Sequence, residues 1–278
     1  MNGKIIKIIS NNYTVFGDDK NIYECMARGK FRNDNIKPLV GDYVKIDTKS
    51  NIIVEIYERR NSLVRPPVSN IDQLFIITSV KYPDLDTYLL DKLITLSEFN
   101  QIVPIICFTK LDLLEDNEIE NIHDVINYYN SVGYKVLLNT DIKSIKKEFK
   151  DKITVFTGQT GAGKSTLLNR IDKKLNIKTG EISTALGRGK HTTRHSELIE
   201  VESGWVADTP GFSALEFTDM KLSDIRDNFA DFEIYKDKCK YKDCMHLKED
   251  SCKIKEEVLN GNILKSRYEN YLKFVTKR

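Results

Sequence analysis

The sequence predicts three folded units in series: a small all-β barrel, a central α/β unit on a mainly parallel sheet, and a helical tail with clustered cysteines. Three observations carry this. Residues 3–58 fall into short alternating segments punctuated by Gly, Asn and Asp. From Ile71 continuous apolar runs alternate with longer helical stretches. Three of the five cysteines crowd into 239–252. A chain of 278 residues has room for more than one core, and 40% hydrophobic with 30% charged residues is the composition of a soluble folded protein.

In the front unit the segments are GKIIKIISNNYTVF, IYECMARGKF, VGDYVKID and NIIVEIYERR, enough for about five strands. OB-like and SH3-like barrels are the candidates. RRNSLVRPPVSN (59–70), with two prolines and three arginines, reads as a linker. In the centre, IDQLFIITSV (71–80) reads as a buried strand, TYLLDKLITLSEFN (87–100) as a helix and IVPIICFTK (102–110) as a second strand. A helix over about 118–131 follows, then strands at 134–139 and 152–158. Past 219 the chain is helical and charged. The expected units are 1–63, 64–218 and 219–278.

No apolar segment approaches the roughly 20 residues of a membrane helix, and MNGKIIKIIS alternates charge with Ile, unlike a signal peptide. A cytoplasmic protein is expected. The net charge of +2 does not announce a nucleic-acid binder, but its distribution is informative. Residues 1–62 carry eleven basic against eight acidic side chains, and 219–278 carry 14 against 12. The basic excess therefore lies at the two ends, which favours end modules that meet an anion.

Gly158-Gln159-Thr160-Gly161-Ala162-Gly163-Lys164-Ser165, followed by Thr166, matches a phosphate loop between a strand and the helix STLLNRI. Its glycines let backbone N–H groups turn toward phosphate oxygens, Lys164 adds a cation at the β and γ phosphates, and Ser165 can ligate Mg²⁺. The motif alone does not choose between ATP and GTP. WVADTPGF (205–212) is an apolar strand ending in D-x-x-G, where Asp208 can hold Mg²⁺ and the Gly211 N–H can meet the γ-phosphate. Between them GRGKHTTRH (187–195) has no apolar period and suits a loop whose threonine ligates Mg²⁺ when γ-phosphate is present. Thr193 is the expected ligand, with Thr192 the alternative.

TKLD (Thr109, Lys110, Leu111, Asp112) has the form of a guanine-reading clamp, with Thr109 where Asn is usual. Asp112 can accept from guanine N1–H and the 2-amino group, a pattern adenine lacks, while Lys110 lies along the ring. The clamp precedes the phosphate loop in the chain, the reverse of an ordinary GTPase. In an open α/β sheet, however, ligand groups come from loops at strand carboxyl ends, and a circular permutation keeps those loops in place.

Cys25 and Cys107 lie in expected strands and read as small buried apolar residues. Cys239, Cys244, His246 and Cys252 form C-x₄-C-x-H-x₅-C. Three thiolates and an imidazole complete a tetrahedral zinc site with no open position, a structural arrangement. Few large apolar residues lie between 236 and 255, so a metal would hold this stretch together.

The permuted TKLD and GQTGAGKST pair, GRGKHTTRH, DTPGF and CKYKDCMHLKEDSC together make the chain similar to the circularly permuted ribosome-assembly GTPases of the RsgA (YjeQ) family. The resemblance covers essentially the whole chain. It implies an OB-fold in front, GTP hydrolysis in the centre and one structural zinc in the tail, with Mg²⁺ accompanying GTP. It implies action late in maturation of the small ribosomal subunit, whose binding stimulates hydrolysis. A second guanine contact would fall near Asn139-Thr140, which lacks the usual Ser-Ala character.

The residue after D-x-x-G is Phe212 rather than the water-orienting Gln of small GTPases. His191 is the nearest titratable candidate for that task, so slow intrinsic turnover is expected. Arg28, Lys30, Arg32 and Lys37 in the barrel and Lys238, Lys240 and Lys242 beside the cysteines suit contacts to rRNA phosphates. The expected partners are GTP or GDP and the small subunit with its rRNA; a monomer without membrane contact is expected. A P-loop kinase of small molecules and a nucleic-acid-binding scaffold with a structural nucleotide site are the competing readings.

Overall fold

A computed structural model describes residues 1–29, 31, 36–64, 66–175, 195–207 and 216–276. The front unit is a five-stranded barrel of β1 (Asn2–Ile9), β2 (Asn12–Gly17), β3 (Ile22–Ala27), β4 (Tyr43–Asp47) and β5 (Ile52–Ile56). The strand order is β1-β2-β3-β5-β4, with β3 and β5 parallel and β4 closing on β1. That is OB-like topology. Strict alternation turns Ile5, Val15, Cys25, Val44, Ile46 and Ile53 into one interior.

The sequence segment read as a linker is ordered where it leaves the barrel. Ser62–Leu63 (β6) and Val68–Ser69 (β7) form a two-stranded ribbon. Its polar side chains are pinned on both sides. Ser69 Oγ donates to Asp42 at 2.6 Å, Asn70 Nδ2 donates to the Gly41 carbonyl at 3.0 Å, and Arg59 pairs with Asp42 at 2.7 Å. Turn-forming residues at 59–70 thus build a fixed corner rather than a tether.

The central sheet runs β10 (Lys135–Leu138), β9 (Val103–Thr109), β8 (Gln73–Ser79), β11 (Ile153–Gly158), β13 (Gly204–Ala207) and β12 (His195–Val201). The first five are parallel, and β12 is antiparallel to β13. Along β8, Leu74 and Ile76 enter the core on one face, with Leu90, Leu93, Ile94 and Phe108, while Phe75 and Ile77 enter the other with Phe149, Phe156 and Leu168. A strand buried on both faces must read as a continuous apolar run, which is why LFII was legible. The helices on these faces are α1 (Thr87–Phe99), α2 (Asp116–Val132), α3 (Ile142–Lys147) and α4 (Lys164–Ile171).

Barrel and central sheet are continuous, because β1, which pairs with β2 along one edge, has two successive partners on the other. Its first residues pair with β4, and Lys7, Ile8 and Ile9 pair with Glu197, Ser196 and His195 of β12. A bulge between Ile5 and Lys7 marks the change. His195 therefore begins a strand instead of ending a loop.

The tail comprises α5 (Leu222–Asp227), α6 (Ala230–Glu233), α7 (Lys253–Leu259) and α8 (Lys265–Thr276). Phe217, Ile225, Phe229, Phe232, Tyr271 and Phe274 form its core, and Leu96 of α1 joins them. Among the described residues no helix is long and apolar enough to cross a membrane.

Candidate functional site

The phosphate loop follows β11, and its conformation requires glycine at defined points. Gly158 has φ +128°, and a Cβ there would sit 1.9 Å from the Ile77 carbonyl oxygen of β8. Gly161 and Gly163 also have positive φ, of +80° and +91°. Gly163 caps α4, so the loop ends at a helix N-terminus with its unpaired N–H groups and positive dipole end. The Lys164 ammonium donates to the carbonyls of Gly158 and Gln159, at 2.8 and 2.6 Å, and so lies across the mouth of its own loop. Burial lowers its pKa from the ordinary lysine value. Thr160 is exposed, Ala162 and Ser165 are buried, and Thr166 stands exposed on the first turn of α4.

TKLD lies beside this loop in space. Ser79 of β8 is in register with Thr109 of β9, and β8 is the neighbour of β11. The Thr109 hydroxyl is 2.7 Å from the carbonyl oxygen of Ala162, in the middle of the phosphate loop. Lys110 takes a left-handed conformation with φ +64° and opens a 3₁₀ turn, Leu111–Leu113, which carries Asp112. The Lys110 ammonium donates to the Tyr82 carbonyl. The permuted order therefore leaves the two motifs as neighbours at the carboxyl edge of one sheet, the place where open α/β sheets bind ligands.

A third segment, which sequence reading missed, completes the rim. The β8–α1 loop supplies Tyr82 to Lys110 and the Asp84 carbonyl to Gln159 Nε2 at 2.9 Å, and the Pro83 ring faces Gly161. Lys81 pairs with Glu115 at 3.0 Å and Glu118 at 2.6 Å, at the start of α2. The available signal was KYPDLD, a turn-rich string directly after a buried strand. Asn139 also falls at this edge: its N–H donates to Phe108 O at 3.0 Å, and its carbonyl accepts from Arg170 of α4 at 3.0 Å. His191, Thr192, Thr193, Asp208, Gly211 and Phe212 lie outside the described residues, as do Lys30 and Arg32.

In the tail the four predicted ligands converge, their donor atoms all within 4.8 Å of one another. His246 turns Nδ1 to the thiols, 3.3 Å from Cys252 Sγ and 3.7 Å from Cys239 Sγ. A tetrahedron with Zn–S near ~2.3 Å and Zn–N near ~2.0 Å has S···N edges of about 3.5 Å, so the cluster can hold one zinc ion. Burial pushes the Cys244 thiol up to about 12 and the His246 imidazole down to about 4. The protein alone thus favours the neutral forms, and a bound dication would keep the thiols ionised.

The loop is shaped for this. The Glu249 carboxylate accepts from the N–H groups of Met245 and Leu247, each at 2.7 Å. From α8, Tyr268 and Tyr271 donate to the carbonyls of His246 and Met245, at 2.7 and 2.6 Å. These contacts tie His246, which has φ +59°, to the helical core. Cys25 and Cys107, by contrast, are single buried strand residues.

A buried ion cluster joins the tail to the centre. Arg267 of α8 is fully buried, 2.6 Å from Asp91 of α1 and 3.1 Å from Asp231 of α6. Tyr129 and Asn270 also donate to Asp91, and Tyr128 to Asp231. Desolvation raises the Asp91 pKa, and Arg267 is held charged well above its ordinary value against its own desolvation, by the two carboxylates. Lys92, one residue along α1, pairs with Glu216 at 2.7 Å.

Comparison with known proteins agrees with this geometry. Residues 56–218 match the RsgA GTPase model and residues 2–52 the RsgA N-terminal domain model. The chain is 45% identical over 287 residues to the small ribosomal subunit biogenesis GTPase RsgA of Bacillus subtilis (strain 168), covering 99% of this chain and 96% of that protein. It is 46% identical over 281 residues to the RsgA 2 of Oceanobacillus iheyensis, covering 98% and 96%. Two solved structures share the fold. One is YloQ, a circularly permuted GTPase, with a TM-score of 0.84, 40% identity and coverage of 99% of this chain and 94% of that one. The other is YjeQ from Thermotoga maritima, with a TM-score of 0.86, 32% identity and coverage of 99% and 97%. With barrel, permuted phosphate-loop sheet and cysteine cluster in this order, the chain belongs to the RsgA family of circularly permuted GTPases.

Proposed function

We propose that this protein hydrolyses GTP as an assembly factor in late maturation of the small ribosomal subunit, gripping rRNA through its barrel and its zinc module. The observation that carries the reading is the Thr109 hydroxyl 2.7 Å from the Ala162 carbonyl, which sets TKLD against the phosphate loop despite their reversed chain order and so supports its reading as the base clamp. Relatives named for small-subunit biogenesis at about 45% identity over nearly the whole chain support the cellular role.

In this reading the units are 1–63, 64–218 and 219–278. Backbone N–H groups of Gly158 to Lys164 and the Lys164 ammonium bind the β and γ phosphates, and Ser165 and Thr166 face the phosphates from α4. Asp112 accepts from the guanine N1–H and 2-amino groups, with Lys110 and Leu111 along the base. Ser165, Thr193 and Asp208 hold Mg²⁺, Gly211 meets the γ-phosphate, and His191 orients the attacking water. The magnesium neutralises charge developing on the phosphates. Arg28, Lys37, Lys238, Lys240 and Lys242 contact rRNA phosphates, and Lys30 and Arg32 do the same from the barrel. The protein works as a cytoplasmic monomer.

The test is nucleotide binding and turnover by the wild type and Lys164→Ala. GTP and GDP should bind at least about a hundredfold more tightly than ATP and ADP, because the site hydrogen-bonds groups adenine lacks. Lys164→Ala should abolish turnover with and without small subunits. Equal affinity for ATP, or a Lys164→Ala variant with wild-type turnover, would remove the reading.

A further inference from the structure

Tyr241 is 45% exposed, on the turn that runs from Cys239 to Cys244. A lone exposed tyrosine is ordinary on a protein surface, but this one is held in place. The Cys244 N–H donates to Tyr241 O at 3.3 Å, and the Lys240 N–H donates to Ser251 O at 3.4 Å. Cys239 and Cys244 anchor the two ends of the turn in the ligand cluster. Tyr235, just before the turn, packs against the core of the tail, whereas Tyr241 stays in solvent. Among the described residues its one side-chain partner is the Lys240 ammonium, 5.3 Å from the ring centroid.

Charge alone does not explain this turn. From 236 to 243 four lysines face two aspartates, and Lys236 is engaged with Glu233 at 2.5 Å. Lys238, Lys240 and Lys242 are exposed and can meet phosphates, but a phosphate is carried by duplex and single strand alike. An aromatic face is more selective. It stacks on a base, and a base offers its face only where the strand is unpaired, because in a duplex each face is already stacked on its neighbour. Lysines interleaved with an exposed ring on a braced turn therefore fit a single strand better than a duplex.

We propose that Tyr241 is a base-stacking residue, and that the cysteine-bearing turn takes an unpaired nucleotide of RNA rather than a paired stem. The proposal rests on the reading of this module as a grip on rRNA, and adds which chemical form of RNA it holds. The Lys240 ammonium lies over one face of the ring and leaves the other for the base. Lys238 and Lys242 flank it in the chain and meet the phosphates on either side. The ring is already fixed by the turn before RNA arrives, so little conformational freedom is lost on stacking.

Two measurements on the zinc-loaded full chain test this. The first is photocrosslinking to an oligouridylate carrying 4-thiouridine and to a hairpin carrying the same base within its paired stem. The wild type should crosslink to the single strand in the peptide that holds Tyr241, and at least about tenfold less to the stem. The second is affinity for purified small subunits. Tyr241→Ala should weaken it about tenfold, within the range for one stacked base, with its slope against log salt unchanged because no cation is removed. Tyr241→Phe, which keeps the ring, should bind as the wild type does. Lys240→Gln should flatten the slope by about 0.7, the value of one phosphate contact on a single strand.

Wild-type affinity in a zinc-loaded Tyr241→Ala would overturn the proposal. So would crosslinks at Tyr241 that are as strong with the stem as with the single strand, or that fall only elsewhere in the chain, and so would a contact of Tyr241 with a ribosomal protein. Should Tyr241→Ala lose its zinc, the wild-type crosslinks and Tyr241→Phe still decide. Failure of the underlying reading looks different. If Lys238, Lys240 and Lys242 changed together to Gln leave small-subunit affinity and its salt slope as they were, the module is not an rRNA grip. If they weaken it while Tyr241→Ala does not, the grip stands and the stacking falls. Guanine preference and Lys164→Ala turnover without subunits are measured in the absence of RNA and do not depend on Tyr241.

Discussion

Gly158 shows how much of the site rests on single residues. A Cβ would lie 1.9 Å from Ile77 O, in a backbone conformation that side chains rarely adopt. Gly158→Ala should force β11 from β8, costing at least about 2 kcal/mol from the positive φ alone. Denaturant unfolding would measure it, and a loss under about 0.5 kcal/mol would contradict the steric argument. The metal cluster is also a residue-scale device. Purified protein should carry one zinc per chain, and Cys244→Ala or Cys252→Ala should lose it, with faster proteolysis between 236 and 255; full zinc in either variant would remove the assignment. Both features were legible because their chemistry is local. GQTGAGKS and C-x₄-C-x-H-x₅-C declare themselves within a few positions. Thr109 was legible only as a departure from pattern, since its partner Ala162 lies 53 positions away.

Among the elements, helix α1 gathers the most connections. Its N-cap Asp86 ends the loop that meets Lys110 and Gln159, Asp91 faces Arg267, Lys92 faces Glu216, and Leu96 enters the core of the tail. Arg267 is the keystone of the buried cluster, so Arg267→Met should strand two carboxylates and cost about 3–5 kcal/mol. Zinc content should be retained while the helical core loosens. A cost below about 1 kcal/mol in urea unfolding would show that the cluster is not what fixes the tail to α1. None of this could be read from sequence. Asp91, Asp231 and Arg267 each look like an ordinary helix surface charge, and only the fold removes them from water. Strand β12 escaped reading for a related reason: SELIEV alternates like a half-exposed edge, with no continuous apolar run, and its partner β1 belongs to the barrel. The continuous runs of β8, β9 and β11 were legible because both faces of each are buried.

At the scale of the molecule, the permutation determines what is connected to what. The barrel and its corner ribbon, held by Asp42, Arg59 and Ser69, enter the chain just ahead of the half that carries TKLD. The tail follows directly behind the D-x-x-G segment. Strand β1 adds a second connection between barrel and centre, in register with His195, the last residue of GRGKHTTRH, and the two residues after it. Both end modules are thus joined in the chain to the segments that this account assigns to the nucleotide, an arrangement that would suit coupling of docking with hydrolysis. Affinity for small subunits should fall steeply with added salt if the basic side chains of both modules meet phosphates; salt-independent binding would argue for protein contacts instead.

The most direct test of the central claim is GTP turnover with purified small subunits, with large subunits and with neither. The account predicts slow turnover alone, strong stimulation by small subunits, and little by large ones. Equal rates in the three conditions, or stimulation by large subunits alone, would contradict it.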